Sequence, residues 1–296
     1  MAQSIGMIGL GNMGLAMAQT LRRKGFAVRG FDLEKSRRAA AADAGIGVAA
    51  GAGDVFASCP LTMLSLPTAA AVRSVIEGAD GFVARAQAGS IVVDTSTSEP
   101  PVTRTLARAA ASAGLAMLDA PVSGGPRGAA EGTLAMMVGG EADALARARP
   151  VLSAVATKIV HVGGAGAGHV AKLVNNLLVA ANLLTAAEAM RLGIRAGVEP
   201  HKLLEAVNGA SGRSAVSEVN LPRWVISGAY DSGFTMALMR KDVGLALKLA
   251  RELGENPKVA ALVDVLWQGS VDRLPGGDDF NRIAGAIIDR GAIGLD

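Results

Sequence analysis

Along the first half of the chain, apolar residues recur in short β-branched bursts: SIGMIGL, AVRGFD, LTMLSL, SIVVDTS, LAMLDAP, LAMMVGG and KIVHVGG, separated by helix-like segments rich in alanine. Strands alternating with helices predict a parallel sheet covered by helices. After the glycine cluster Gly163 to Gly168 the bursts stop, and the spacing becomes helical in NNLLVAANLLTAAEAMRLGIRAG, HKLLEAVNG, MRKDVGLALKLARELG and VAALVDVLWQGSVDRL. The pattern predicts a sheet-containing domain over residues 1–162 and an all-α domain over 163–296. With 296 residues, half of them hydrophobic, the chain has enough material for two cores.

Charge and cysteine content narrow the classes of function. The 29 basic and 26 acidic residues are scattered without a block of one sign, so a nucleic-acid partner is not indicated. Cys59 is the only cysteine and excludes an internal disulfide; with no basic leader before the first strand, a cytoplasmic location is expected. The longest helical stretch, about Lys172 to Arg191, is interrupted by Asn175, Asn176, Asn182 and Glu188, so no membrane span is expected. His161, His169 and His201 stand apart from one another in the sequence, and no metal site is read from them.

The first burst ends in Gly9-Leu10-Gly11-Asn12-Met13-Gly14, a G-x-G-x-x-G turn that opens a helical segment. In a dinucleotide-binding βαβ unit, Gly9 permits the tight turn, Gly11 the approach of a pyrophosphate, and Gly14 close packing of helix on strand. The second burst ends at Asp32, roughly 20 residues on, where a carboxylate accepts hydrogen bonds from ribose hydroxyls. A 2′-phosphate about 4 Å from that carboxylate would be repelled by roughly 1 to 4 kcal/mol, which favours NAD. Lys35, Arg37 and Arg38 follow closely and offer a phosphate grip, so NADP stays open.

Three further segments fall at strand ends or helix starts: Asp94 to Thr97, Asp119 to Gly128, and Lys172 to Asn176. Ligands of open α/β sheets bind beyond the carboxyl ends of strands, and the turn Ser123-Gly124-Gly125 can offer a hydroxyl and backbone N–H groups to a carboxylate; the alternative is a turn that only reverses the chain. Lys172 and Asn176 are four apart in a helix and share an otherwise apolar face with Val179 and Leu183. The lysine either snorkels to solvent or serves as a base. Beside a positively charged nicotinamide, a partly desolvated amine has its pKa lowered and can take a hydroxyl proton as hydride leaves, with Asn176 holding the same hydroxyl. Lys241-Asp242 reads either as an exposed charged helix face or as a closure of the cleft. The one tyrosine, Tyr230, has no lysine four residues on, which argues against Tyr-x-x-x-Lys dehydrogenase chemistry, and no G-x-S-x-G elbow is present.

Together GLGNMG, VDTSTS, DAPVSGGPRGAAEGTLAMMVGG, GAGHVAKLVNN and LMRKDVGLAL closely resemble the β-hydroxyacid dehydrogenase family, over nearly the whole chain. The resemblance implies a Rossmann domain joined by one long interdomain helix to an all-α domain, with homodimers or homotetramers formed through the helical part. It also implies that Lys172 is the catalytic acid/base, that Ser123 and Gly124 bind the substrate carboxylate, and that Asn176 orients the reacting group. Leu66-Pro67, Thr97 and Lys241 match positions that contact the cofactor. The expected reaction moves a hydride between NAD and a small 3-hydroxy acid such as 3-hydroxyisobutyrate, giving the semialdehyde. Reduction of tartronate semialdehyde and oxidation of threonate, glycerate or serine are the alternatives, and a non-catalytic nucleotide sensor is the competing class; Lys172 and Asn176 argue against the last.

Overall fold

The computed structural model describes residues 4–290, so residues 1–3 and 291–296 of the two expected domains lie outside the described residues. The chain forms two units that divide after Lys172. Among the described residues nine strands are found, all in the first unit: β1 (Ile5–Ile8), β2 (Val28–Phe31), β3 (Gly47–Val48), β4 (Leu61–Leu64), β5 (Ile91–Asp94), β6 (Ala116–Asp119), β7 (Val122–Ser123), β8 (Leu134–Gly139) and β9 (Ala156–Gly163). Every apolar burst in the sequence became a strand. β3 and β7, two residues each, were missed because they are too short to show a period.

Successive strand residues point to opposite faces, and here both faces are buried. Met7, Met63, Val93 and Leu118 pack into one core with Met17, Leu21, Leu145 and Leu152 of the helices Asn12–Arg23 and Ala142–Val155. Their neighbours Ile8, Leu64, Val92 and Met117 pack into the other with Phe56, Ile76, Phe82 and Leu106. Burial on both faces explains why these bursts are continuously apolar instead of alternating.

The strand order is β3-β2-β1-β4-β5-β6-β8-β7, with β9 beside β8. From β3 through β6 all pairs are parallel, and the order reverses between β1 and β4, the switch point at which such sheets bind ligands. The wholly parallel expectation is corrected beyond that point, because β8 runs antiparallel to β6 and β7. The link 124–133 between β7 and β8 is shorter than the dozen or so residues a parallel crossover takes.

The second unit is helical, as expected. It comprises the later turns of the long helix Ala167–Arg195 and the helices Pro200–Asn208, Met236–Glu252, Lys258–Gly269 and Arg282–Arg290, together with a wider π-helical coil at Val216–Ile226. Its core gathers Leu183, Leu204, Leu221, Met239, Val243 and Ile283 around the fully buried Trp267. The indole N–H of Trp267 donates to the carbonyl of Ala180 at 3.4 Å. No periodicity announces the π coil, which carries Pro222 within it.

By length and composition the long helix is apolar enough to cross a membrane, contrary to the sequence expectation. Its asparagines interrupt the run without lowering the mean hydropathy below that of a span. Its first turns nevertheless pack on the sheet, where the ring of His169 is buried and hydrogen-bonded, as in the helix of a folded domain.

Candidate active site

At the switch point the glycine loop is shaped by close contacts. Gly9 has φ +88°, and a Cβ there would lie 2.2 Å from the carbonyl oxygen of Ser65. A Cβ on Gly14 would lie 1.8 Å from the carbonyl oxygen of Gly9, so the helix Asn12–Arg23 sits against its own loop as closely as backbone allows. Gly11 differs, because a Cβ there would meet nothing within 4 Å. It is the N-cap of that helix, with no side chain capping the turn and no acidic residue in it. The free N–H groups and the helix dipole suit an anion at the open side of Gly11, so Gly9, Leu10, Gly11, Asn12, Met13 and Gly14 fit a dinucleotide pyrophosphate.

Asp32, at the end of β2, accepts the N–H of Leu10 at 2.7 Å through one carboxylate oxygen and the N–H of Glu34 at 2.9 Å through the other. Each oxygen retains lone-pair capacity for a ribose hydroxyl. Within the basic cluster, Arg38 is turned inward: Nη1 donates to the carbonyls of Asp32 at 2.5 Å and Leu33 at 2.9 Å, and the guanidinium lies over Phe31. Arg37 reaches Asn12 of the glycine loop at 3.3 Å and lies 3.7 Å from Glu34. The anticipated phosphate grip is therefore partly engaged elsewhere. Across the switch point the N–H of Leu66 donates to Ser96 Oγ at 2.9 Å, which brings the Leu66-Pro67 turn to the segment carrying Thr97.

Farther along the sheet, Gly124 with φ +126° follows Ser123 and precedes the short helix Gly125–Glu131. Arg127, in that helix, pairs with Glu131 at 2.7 Å. Asp119, whose segment the sequence had flagged without assigning a role to the aspartate, anchors the long helix instead. Its Oδ1 accepts the N–H of Gly166 at 2.8 Å and its Oδ2 the N–H of His169 at 2.9 Å, giving two helix N-terminal donors a carboxylate. His169 is not isolated, as expected from sequence, but lies between carboxylates. Nε2 is 3.9 Å from Asp94 Oδ2, and Nδ1 is 3.9 Å from Asp119 Oδ2. Lys172, 6% exposed, follows one turn later.

Asp94 is fully buried, and its Oδ1 accepts the N–H of Ser96 at 3.0 Å while its Oδ2 has no hydrogen-bond partner. Burial pushes its carboxyl pKa up, partly offset by His169. A carboxyl whose folded pKa exceeds the unfolded value of about 4 stabilises the fold below that value, and the contribution is lost as pH rises through the folded value. Asp94→Asn keeps an acceptor for Ser96 and removes the titration. The variant is expected to gain stability relative to the parent chain as pH rises from about 4 toward neutrality, read as the difference between the two melting temperatures. A difference that is flat or falls with pH would contradict this.

In the second unit, Asn176 is 4% exposed and Asp242 1% exposed. Asn176 Nδ2 donates to Asp242 Oδ2 at 2.6 Å, while Asn175 Nδ2 donates to Asn176 Oδ1 at 3.0 Å. A carboxylate only accepts, so Asp242 fixes which end of the amide is which. Asp242 Oδ1 lies 3.4 Å from Lys241 Nζ. The exposed-face reading of Lys241-Asp242 is thereby corrected, since Asp242 faces inward. Neighbouring Arg240 sets the roll of that helix by donating to Ser270 Oγ and to the carbonyls of Trp267 and Leu274. Sequence spacing alone could not pair Asp242 with Asn176, which lies 66 residues away.

Comparison with known proteins agrees with these features. Residues 4–163 match the family described as the NAD binding domain of 6-phosphogluconate dehydrogenase, and residues 166–287 match the NAD-binding domain of NADP-dependent 3-hydroxyisobutyrate dehydrogenase. The chain is 38% identical to 3-hydroxyisobutyrate dehydrogenase of Pseudomonas aeruginosa, covering 94% of this chain and 96% of that protein. It is 37% identical to 2-(hydroxymethyl)glutarate dehydrogenase of Eubacterium barkeri, covering 94% and 93%. A solved structure of Mycobacterium tuberculosis 3-hydroxyisobutyrate dehydrogenase with L-serine superposes with a TM-score of 0.90 at 34% identity, covering 97% of this chain and 99% of the other. A glycine loop shaped for a dinucleotide and full-length likeness to hydroxyacid dehydrogenases lead to one assignment: the chain belongs to the β-hydroxyacid dehydrogenase family and is an NAD(P)-dependent oxidoreductase.

Proposed function

We propose that the chain oxidises a small 3-hydroxy carboxylic acid of the 3-hydroxyisobutyrate type to its semialdehyde, with NAD preferred over NADP. The observation that carries this reading is the pair Lys172 and Asn176, both buried and one turn apart on the long helix, with the Asn176 amide oriented by Asp242. Gly9, Leu10, Gly11, Asn12, Met13 and Gly14 hold the pyrophosphate, Asp32 the ribose, and Leu66, Pro67, Thr97 and Lys241 complete the cofactor site. A nicotinamide cofactor held there would supply the acceptor for the hydride of the hydroxyl-bearing carbon. Lys172 takes the hydroxyl proton in oxidation and returns it in reduction, while Asn176 fixes the hydroxyl by hydrogen bonding. Ser123, Gly124 and Gly125 bind the carboxylate through the hydroxyl and backbone N–H groups.

The NAD preference is supported by Asp32 facing the loop and by Arg38 being engaged with backbone carbonyls. Acids with a further polar group, such as serine, threonate and glycerate, form the second reading. It is favoured by Arg213, an exposed residue beside Ser214 and Ser217 at a cavity of the helical unit, and by the L-serine named with the Mycobacterium structure. Association through the helical unit is supported by the exposed Val174, Leu178 and Leu192 on the long helix. The lone reduced Cys59 is compatible with the cytoplasm.

Initial rates with NAD and with NADP against 3-hydroxyisobutyrate, 3-hydroxypropionate, serine, glycerate and threonate, and with NADH and NADPH against tartronate semialdehyde, test the reading. A 3-hydroxy acid is expected to be oxidised with kcat/KM at least about tenfold higher for NAD, which corresponds to the lower range of repulsion at Asp32. No turnover with any compound would leave the nucleotide-sensing alternative, and an NADP preference would overturn the role of Asp32.

A further inference from the structure

His169 takes no part in the proton and hydride transfers proposed above, yet both ring nitrogens are engaged in a fully buried setting. Nε2 lies 2.9 Å from the carbonyl oxygen of Ser96. A carbonyl only accepts, so Nε2 carries a proton and donates. Nδ1 lies 2.8 Å from Thr103 Oγ1, in the helix Pro100–Ser112, and Thr103 Oγ1 is in turn 3.2 Å from the carbonyl of Glu99. The backbone N–H of His169 meets Asp119 at the end of β6. One residue thus ties the first turn of the long helix to the segment after β5, to a neighbouring helix and to β6.

Two further observations give these ties a functional direction. Ser96, whose carbonyl receives His169, also receives the N–H of Leu66 on its hydroxyl and precedes Thr97, so His169 is joined to the loops assigned to the cofactor. Gly168 has no room for a side chain, since a Cβ would lie 2.3 Å from the carbonyl oxygen of Met137 and 2.7 Å from that of Asp119. The helix is therefore seated on the sheet backbone at Gly168, and rotation about that seat is the freedom left for the next residue to remove. Lys172 lies three residues past His169, about 4.5 Å further along the axis.

We infer that His169 is a positioning residue for Lys172: its bonds to Ser96 and Thr103 fix the roll of the first helical turn and so place the lysine amine relative to the Leu66 and Thr97 loops. The inference rests on Lys172 being the acid/base. A displacement near 1 Å at a reacting group can cost on the order of 100-fold in rate, so loss of these bonds registers in turnover before it registers in cofactor binding.

The test compares His169→Phe, which fills the site without hydrogen bonds, with His169→Gln, whose amide nitrogen can restore donation to Ser96, and includes Lys172→Ala in parallel. Turnover is measured per NADH-binding site, with sites counted by calorimetric titration. His169→Phe is expected to lower kcat roughly 10- to 100-fold, with NADH sites per chain unchanged and a larger solvent deuterium isotope effect on kcat, because proton transfer to a displaced amine becomes slow. His169→Gln is expected to return to within about fivefold of the parent chain. Unchanged kcat per site in His169→Phe, a loss matched by loss of NADH sites, or a glutamine variant as impaired as the phenylalanine variant would each overturn the inference. Full activity in Lys172→Ala would instead overturn the reading on which it rests.

Discussion

Lys172→Ala is expected to lower kcat by at least about 100-fold while NADH affinity stays within about threefold of the parent chain. The expectation follows from burial as well as from family likeness. Lys172 is 6% exposed in a helix whose preceding turn is bonded through His169 to Asp119 and Ser96, so its backbone position is fixed. A general acid/base contributes about 10²- to 10⁴-fold to a rate, whereas removing a side chain outside the phosphate loop leaves the pyrophosphate contacts in place. Truncation also removes the packing of a long aliphatic stem, so Lys172→Met serves as the control that retains the stem's bulk without the amine. Both variants should be equally slow. Activity recovered in the methionine variant would assign the lysine a packing role instead.

A second large effect is expected at the glycine loop. The added methyl of Gly14→Ala would lie 1.8 Å from the carbonyl oxygen of Gly9 and 3.3 Å from Ser65 Cβ, and the nearer obstacle is backbone that cannot rotate away. The helix must retreat from the loop or the loop must open, and either movement disturbs the N–H groups that meet the pyrophosphate. NADH affinity should fall by about 100-fold or more, equivalent to roughly 2.7 kcal/mol, and the melting temperature should fall with it. Gly11→Ala separates the causes, because its Cβ meets no protein atom within 4 Å. That variant should keep its melting temperature and lose only cofactor affinity. Calorimetric titration of NADH and thermal denaturation of the two variants decide the matter, and a Gly14→Ala protein with parental affinity and stability would contradict it.

The parts of this protein that sequence made legible are those in which neighbouring residues carry the signal. Gly9, Gly11, Gly14 and Asp32 are set by one βαβ unit, and β1, β4, β5 and β6 declare themselves because both of their faces are buried. That Lys172 and Asn176 share one helix face follows from helical spacing alone. Contacts that depend on chain reversal were not legible in this way. The antiparallel β6-β8-β7 corner turns on the two-residue β7 and the short link after it, and the π coil at Val216–Ile226 leaves no periodic trace. Asp242 could be read either as surface charge or as part of a cleft until tertiary packing turned it toward Asn176, and His169 looked isolated because Asp94 and Asp119 are distant in sequence and adjacent only across the sheet.

The origin of the hydride and its dependence on Lys172 are read together from labelled substrates. 3-Hydroxyisobutyrate, 3-hydroxypropionate and L-serine, each bearing two deuterium atoms at C3, are incubated with NAD, and the NADH formed is analysed by mass spectrometry. The parent chain should produce NADH carrying one deuterium from at least one of these acids, and Lys172→Ala should produce almost none in the same time. Reduced cofactor without label, no reduced cofactor from any of the acids, or equal labelling by the lysine variant would contradict the proposed oxidation, in which NAD is the hydride acceptor and Lys172 takes the hydroxyl proton.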